Sequence, residues 1–201
     1  MKTKKYIYLI SIYFVFLIWS GINPKERFTW FLEVFPALLG FIVLSFTFKK
    51  FRFSYFTYTL ILIHSIILFI GGHYTYAEVP FFNTIKEIFN QSRNNYDKLG
   101  HFFQGFVPSF IMMELFLRKE IIKKGWLKPL VVLMALGISA LYELFEWLTA
   151  IIQKESAESF LGTQGYIWDT QSDMFYCLIG SIVAILLSKI QEKFIKNENL
   201  L

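Results

Sequence analysis

The sequence predicts an all-α membrane protein, a polytopic bundle of about six transmembrane helices with a short interfacial helix in its third loop. Of the 201 residues, 55% are hydrophobic and only 17% are charged, whereas soluble domains average about 25% charged residues. One residue in five is aromatic, more large apolar side chains than a soluble domain of this length can bury. Six stretches are long and apolar enough to cross a bilayer, where helices satisfy their own backbone polar groups.

Each predicted helix is a stretch of about 20 predominantly apolar residues. The six spans are Tyr6–Ile22, Trp30–Phe48, Phe56–Gly72, Lys98–Leu117, Pro129–Ile152 and Asp173–Ile190. The first stretch follows a basic start and could instead be a cleaved signal peptide. Its length favours an uncleaved anchor, as does the bulky Trp19 where cleavage requires small residues. Residues 1–201 are therefore predicted to form one integral membrane domain.

Lysine and arginine residues alternate between dense and sparse from one predicted connection to the next. Most of the 20 lie in the N-terminal tail, the second and fourth connections and the C-terminal tail. Because basic loops stay on the cytoplasmic side, this alternation predicts that both termini are cytoplasmic. The net charge of +5 thus reflects orientation. Since the basic residues are scattered over short loops, we expect no nucleic-acid partner.

The third connection, His73–Asp97, is long and lies on the outer side in this topology. Its large apolar residues recur at the spacing of one helical face, after a proline suited to a helix start. They are Phe81, Phe82, Ile85, Ile88 and Phe89. This pattern predicts a short amphipathic helix in the outer interface, or else a loop helix packed on the bundle. A second long outer connection is predicted over Gln153–Ser172.

Ionisable residues inside a span are costly and indicate function by default. Three pairs occur at the spacing of one helical face: Asp97 with His101, Glu143 with Glu146, and Asp169 with Asp173. Two carboxylates in a low dielectric cannot both ionise cheaply, so the glutamate pair requires a shared proton, a basic partner or a metal. Each pair also has a structural alternative, namely helix capping, a packed neutral histidine or hydrogen bonds to facing helices.

All three pairs fall in the outer half of the membrane in the predicted topology. We therefore expect a polar cavity that opens outward, with these six residues as its candidate catalytic groups. Flanking polar residues on the same side are candidates for substrate binding, namely Arg27, His73, Tyr74, Arg93 and Gln104. A divalent cation could be held there, and its candidate ligands are Asp97, His101, Glu143 and Asp169.

Several long stretches resemble the YjdF-type family of bacterial inner-membrane proteins. They include Gly71-Gly-His-Tyr-Thr-Tyr-Ala-Glu-Val-Pro, Ser92-Arg-Asn-Asn-Tyr-Asp-Lys-Leu-Gly-His-Phe-Phe-Gln-Gly-Phe and Leu161-Gly-Thr-Gln-Gly-Tyr-Ile-Trp-Asp-Thr-Gln-Ser-Asp-Met. The resemblance runs over nearly the whole chain. It implies a multi-pass protein of the bacterial inner membrane and assigns no reaction to it.

The last three spans show a second, fainter similarity, to VanZ-like membrane proteins associated with glycopeptide-antibiotic resistance. The similar positions are Asp97-Lys-x-x-His101, Glu143-x-x-Glu146 and Asp169-x-x-x-Asp173. Glu146 stands where that family has Gln, and Asp173 where it has Asn, which makes this site more acidic. The similarity implies cell-envelope or lipid-linked chemistry.

Three functions are compatible with these features. The first is an enzyme or binding site for an envelope lipid or lipid-linked substrate, with the carboxylates and His101 as acid, base or metal ligands. The second is a small transporter or proton-coupled carrier, in which intramembrane carboxylates are usual. The third is a non-catalytic membrane subunit whose acidic outer face docks a partner. The sequence leaves the substrate, the metal and the oligomeric state open.

Overall fold

The computed structural model describes residues 4–152 and 167–200, which form eight α-helices and contain no strand. The helices are α1 (Lys4–Gly21), α2 (Arg27–Thr47), α3 (Tyr55–Tyr74), α4 (Pro80–Ile88), α5 (Tyr96–Arg118), α6 (Lys124–Ile152), α7 (Asp169–Leu186) and α8 (Ser188–Asn197). The all-α prediction is confirmed for this part of the chain. The predicted connection Gln153–Ser172 lies largely outside the described residues, and its last four residues already belong to α7.

Three helices are each long and apolar enough to cross a bilayer, and a bent pair forms a fourth candidate. The three are Arg27–Thr47, Tyr55–Tyr74 and the segment Gly125–Thr149 of α6. The fourth is α7 with α8, whose axes differ by 51°. The sequence predicted one helix from Asp173 to Ile190. In the structure this stretch bends at Leu187, where the apolar run gives way to Ser188 and Lys189.

Side chains and a proline fix the starts of three helices. The Glu26 carboxylate accepts hydrogen bonds from the backbone N–H of Phe28 (3.0 Å) and Thr29 (2.5 Å) and so caps α2. Ser54 caps α3 through the N–H of Thr57, and Pro80 occupies the first turn of α4. Burial acts to raise the pKa of Glu26, but these backbone hydrogen bonds outweigh it and lower that pKa.

Two glycines let α5 and α7 pack with their backbones in contact. A Cβ atom added at Gly105 would collide with the backbone carbonyl of Cys177, and one added at Gly180 would collide with that of Phe102. Small residues allow this close approach between membrane helices. The contact fixes the register of the two helices, and thereby the relative positions of the ionisable residues in their first turns.

Glu114 organises a buried polar cluster at the end of the bundle where α5 finishes. Its carboxylate accepts hydrogen bonds from the Ser54 N–H (2.6 Å) and hydroxyl (2.7 Å), the Thr57 hydroxyl (2.6 Å) and Arg118 Nη1 (2.8 Å). Gln191 Nε2 of α8 lies 3.4 Å from it. Because every lone-pair direction of this carboxylate has a donor, the cluster holds α3, α5 and α8 together. The spacing of Glu114 and Arg118, four residues apart in this order, also favours such an ion pair on a helix.

Helix α4 has two apolar sides. Phe82 packs against Tyr96 with ring centroids 5.1 Å apart, which ties α4 to the bundle. Phe81, Ile88 and Phe89 are exposed and form an apolar surface. The predicted short helix therefore exists, and it both packs on the bundle and offers apolar surface outward.

Candidate functional site: an acidic cluster at one end of an apolar cavity

Lys98, in the first turn of α5, joins the starts of α5 and α7. Its Nζ lies 2.7 Å from Asp169 Oδ1 and 2.5 Å from Asp173 Oδ1, and the Lys98 side chain is only 9% exposed. The predicted Asp169–Asp173 pair therefore meets the α5 pair, as expected, but through a lysine. Lys98 was not among the predicted site residues, because the lysines of the chain were used only to predict its orientation in the membrane. Its position beside Asp97 was the available signal.

Arg93 completes this ion-pair network. Its Nη1 lies 2.6 Å from Asp169 Oδ1, and its Nη2 lies 3.5 Å from Asp97 Oδ2. The sequence suggested that Arg93 meets an anionic substrate and that Asp169 ligates a metal. In the structure the two are paired with each other, which gives both a role in holding the loop before α5 to the start of α7.

His101 lies between carboxyl groups of three helices. Its Nε2 is 3.3 Å from Asp97 Oδ1 and 3.9 Å from Asp173 Oδ2. Its Nδ1 is 3.0 Å from Gln104 Oε1 and 3.8 Å from Glu143 Oε1. Both ring nitrogens thus face oxygen atoms, so His101 can hold a proton on either side. Asp97, His101 and Gln104 thus lie together on one face of α5.

Helix α6 contributes Glu143 and Glu146. Glu143 is 7% exposed, and its Oε1 has no hydrogen-bond partner among the described residues. One ligand atom each of His101, Glu143 and Glu146 lie within 4.8 Å of one another, as do those of Asp97, His101 and Asp173. Four of the six predicted cavity residues therefore surround the imidazole of a fifth, His101, and Asp169 is joined to them through Lys98.

Glu33 and Tyr142 extend the cluster toward α2. The Tyr142 hydroxyl donates to Glu33 Oε2 at 3.4 Å, and Glu33 is buried. Glu33 lies within the predicted second span, Trp30–Phe48, but was not among the predicted site residues. A carboxylate inside a predicted span was the available signal.

A cavity of about 770 Å³ begins at this cluster and runs along the bundle between α1, α2, α3, α5 and α6. Glu33, Asp97, His101 and Glu146 line one end of it, and most of the remaining lining is apolar. The lining residues of α5 run from Asp97 to Ile111, which is about 21 Å along the axis at 1.5 Å per residue. The site thus combines a polar end with a long apolar channel.

Three of the predicted substrate-binding residues take other positions. His73 Nδ1 lies 3.0 Å from the Ser20 carbonyl oxygen, and its ring stacks on Trp19 at 4.6 Å. Tyr74 packs edge-on against His73, so both fasten the end of α3 to α1. Arg27 is exposed at the start of α2. The contacts of His73 and Tyr74 indicate a structural role at this end of the bundle.

Comparisons with known proteins agree with the membrane assignment. Residues 5–193 match the family described as "Predicted membrane protein (DUF2238)". The chain is 44% identical over 171 residues to the inner membrane protein YjdF of Escherichia coli (strain K12), covering 85% of this chain and 82% of that protein. The expected YjdF-type resemblance is confirmed, while the fainter VanZ-like similarity gains no support from these matches.

No solved structure matches the chain significantly. Several of the described helices are long and apolar enough to cross a membrane, in agreement with the description of the matching family as a predicted membrane protein. On this basis the chain belongs to the DUF2238 family of membrane proteins, which its sequence match links to the inner membrane protein YjdF.

Proposed function

We propose that the protein binds, and acts on, an envelope lipid or lipid-linked molecule whose apolar chain occupies the cavity and whose polar group reaches the His101 cluster. The observation that carries this proposal is the continuity of the two: one cavity is lined by Glu33, Asp97, His101 and Glu146 at one end and by apolar side chains beyond them. An amphiphile has the same division between its polar and apolar parts.

The dimensions of the cavity support a chain-like occupant. A channel of about 21 Å is long compared with one leaflet of a hydrocarbon core that is about 30 Å thick in total. A volume of about 770 Å³ falls in the range of roughly 300–1,000 Å³ that is typical of small-molecule sites. A water-soluble substrate would leave most of this apolar lining without a partner.

The polar end favours a particular kind of headgroup. Arg93 and Lys98 are paired with aspartates and do not line the cavity, so the charged groups that face it are mainly carboxylates. Carboxylates accept hydrogen bonds from hydroxyl and amino groups, which points to a sugar-like or amine-bearing headgroup. His101, held between Asp97 and Glu143, would serve there as an acid–base group or as a metal ligand.

The distribution of basic residues supports a location of the His101 cluster on the outer side of the membrane, with both termini cytoplasmic. In this arrangement α1 and α5 supply the two spans that complete a set of six. Helix α5 carries the ionisable residues of both polar clusters, which lowers its apolar character below that of an ordinary span. Helix α4 would lie in the outer interface, with Phe81 and Phe89 in the headgroup region.

Filling the cavity tests the proposal. Gly40 lines the cavity, and a Cβ atom added there meets nothing within 4 Å, so Gly40→Trp places an indole in open space. Gly137 of α6 offers equally open space and is not among the residues that line the cavity, which makes Gly137→Trp the matched control. The lipid that remains bound after extensive detergent washing is identified and counted by native mass spectrometry.

We expect the wild-type protein and Gly137→Trp to retain the same lipid, and Gly40→Trp to retain at least fivefold less. Equal lipid retention by the two tryptophan variants would contradict the proposal. A wild-type protein that carries no lipid after washing, while remaining folded by circular dichroism, would contradict it as well.

A proton-coupled carrier is the second candidate, and one observation favours it. His64, which is isolated in its own span, lines the same cavity between the acidic end and Tyr58. Proton chains in carriers use such histidines and carboxylates. Proteoliposomes with a pH-sensitive dye inside test this candidate. A carrier would give proton uptake that is lost in Glu146→Gln, whereas the absence of protein-dependent proton uptake would contradict a carrier function.

A further inference from the structure

The glutamates of α6 and the imidazole of α5 converge on a small volume at the polar end of the cavity. Glu143 and Glu146 are three residues apart, so both project from one face of α6 toward His101. We propose that His101, Glu143 and Glu146 bind a divalent cation of the Zn²⁺ class. This inference does not depend on the amphiphile proposed above, since the three ligands can be tested with the metal alone.

The distances suit a site that an ion would draw together. One oxygen of each glutamate and one nitrogen of His101 lie within 4.8 Å of one another, and Nδ1 is 3.8 Å from Glu143 Oε1. Ligands bonded at about 2.1 Å around a tetrahedral ion are separated by roughly 3.4 Å. Changes in χ angles of the two glutamates therefore suffice to form the site, without a shift of either helix.

Glu143 points to a ligand independently of the clustering. Its side chain is 93% buried, its Oε1 has no hydrogen-bond partner among the described residues, and this oxygen is directed at His101. Leaving a carboxylate oxygen buried without a hydrogen-bond donor is costly, because the charged form loses its hydration and has only the His101 ring, at 3.8 Å, in return. A cation bonded to Oε1 removes this cost.

The surroundings of His101 identify Nδ1 as its metal-binding atom. Asp97 Oδ1 lies 3.3 Å from Nε2, so Asp97 can hold the proton on Nε2 and leave the Nδ1 lone pair free. A carboxylate in this position is the usual partner of a metal-binding histidine. Gln104, now 3.0 Å from Nδ1, would yield this contact to the ion.

The neighbouring set of Asp97, His101 and Asp173 is a weaker competitor. Lys98 already lies 2.5 Å from Asp173 and 3.7 Å from Asp97, and Arg93 lies 3.5 Å from Asp97. These cations neutralise the two aspartates and repel a metal ion. No lysine or arginine of the described residues forms an ion pair with Glu143 or Glu146.

The donor set also selects the ion. An imidazole nitrogen with two carboxylates suits Zn²⁺ better than Mg²⁺ or Ca²⁺, which prefer oxygen ligands throughout. Three protein ligands leave one tetrahedral position open, as in catalytic zinc sites. His101 and Glu146 line the cavity, so this open position would face its occupant.

Metal retention tests the site. Purified protein is incubated with Zn²⁺, desalted and analysed for metal by mass spectrometry, and Zn²⁺ affinity is measured by titration calorimetry. The variants are Glu143→Gln, Glu146→Gln, Asp97→Asn and, for the competing set, Asp173→Asn. The control is Glu33→Gln, which removes a carboxylate from the same cavity without removing a ligand. Folding of each variant is checked by circular dichroism and gel filtration.

We expect about one Zn²⁺ per wild-type chain and per Glu33→Gln chain, and at least a tenfold loss of affinity in Glu143→Gln and Glu146→Gln. Asp97→Asn should weaken binding by about 10–100-fold, the usual effect of removing a carboxylate behind a metal-binding histidine. Wild-type protein without stoichiometric Zn²⁺ would overturn the proposal. So would loss of Zn²⁺ in Asp173→Asn while folded Glu143→Gln retains it, because the ion would then occupy the other set.

Discussion

Replacing Lys98 with methionine tests the ion-pair network that joins α5 to α7. The lysine is 9% exposed and contacts two aspartates at 2.7 and 2.5 Å. Removing one partner of a buried ion pair costs about 3–5 kcal/mol. Among the described residues, Asp173 then keeps only His101 at 3.9 Å, but Asp169 keeps Arg93 at 2.6 Å. Because only one of the two aspartates loses its close cationic partner, we expect a loss of stability at the lower end of this range, about 3 kcal/mol.

The measurement is thermal unfolding in detergent, followed by circular dichroism. For a chain of this size, about 3 kcal/mol corresponds to a decrease of roughly 6–12 °C in the unfolding midpoint. Lys196→Met, at an exposed position of α8, serves as the matched control and should stay within about 0.5 kcal/mol of wild type. The double variant Lys98→Met with Asp173→Asn removes both charges and should regain part of the loss, through a coupling energy of about 1–3 kcal/mol. The reasoning is refuted if Lys98→Met unfolds at the same temperature as Lys196→Met, or if the two substitutions simply add.

Two further predictions concern the helices around the site. Gly180→Ala introduces a methyl group against the Phe102 carbonyl and should destabilise the protein by about 1–3 kcal/mol. The control Gly137→Ala places its methyl group in open space and should be neutral or slightly stabilising. Equal unfolding midpoints of the two variants would contradict the close packing of α5 and α7. Glu26 has a lowered pKa in the folded protein because its backbone hydrogen bonds outweigh its burial, so its stabilisation of α2 is present above its ordinary pKa of 4.5 and is lost as the pH falls through the lower folded value. At pH 6 the free energies of unfolding of wild type and Glu26→Gln should therefore differ by about 1 kcal/mol or less, and the two unfolding midpoints should converge toward pH 3. A difference in midpoint that does not depend on pH would contradict this role.

The spacing of ionisable residues along single helices could be predicted from the sequence, because it depends only on helical periodicity. Asp97 and His101 lie within 3.3 Å of each other for this reason, and Glu143 and Glu146 face the same neighbour. The topology also indicated that three such pairs share one end of the bundle. The position of these residues along the bundle axis is thus readable from the chain.

The direction of each helix face around the bundle could not be predicted in the same way. His73 lies at the same end as His101, yet it faces α1 and bonds to Ser20. Lys98 faces α7, although a charged residue at a helix end equally suits solvent. These outcomes depend on which helices become neighbours, and that is decided by packing of distant segments, such as the glycine contact between α5 and α7.

The glycine contact between α5 and α7 has a mechanical consequence. Where the two backbones touch, at Gly105 and Gly180, no side chains lie between the helices that could rearrange, so α5 and α7 form a rigid pair on one side of the cavity. Helix α2, on the other flank, packs chiefly on α3 and carries Pro36 in its interior, where one backbone hydrogen bond is missing. If the proposed occupant enters from the bilayer, we therefore expect the bundle to widen on the α2 side.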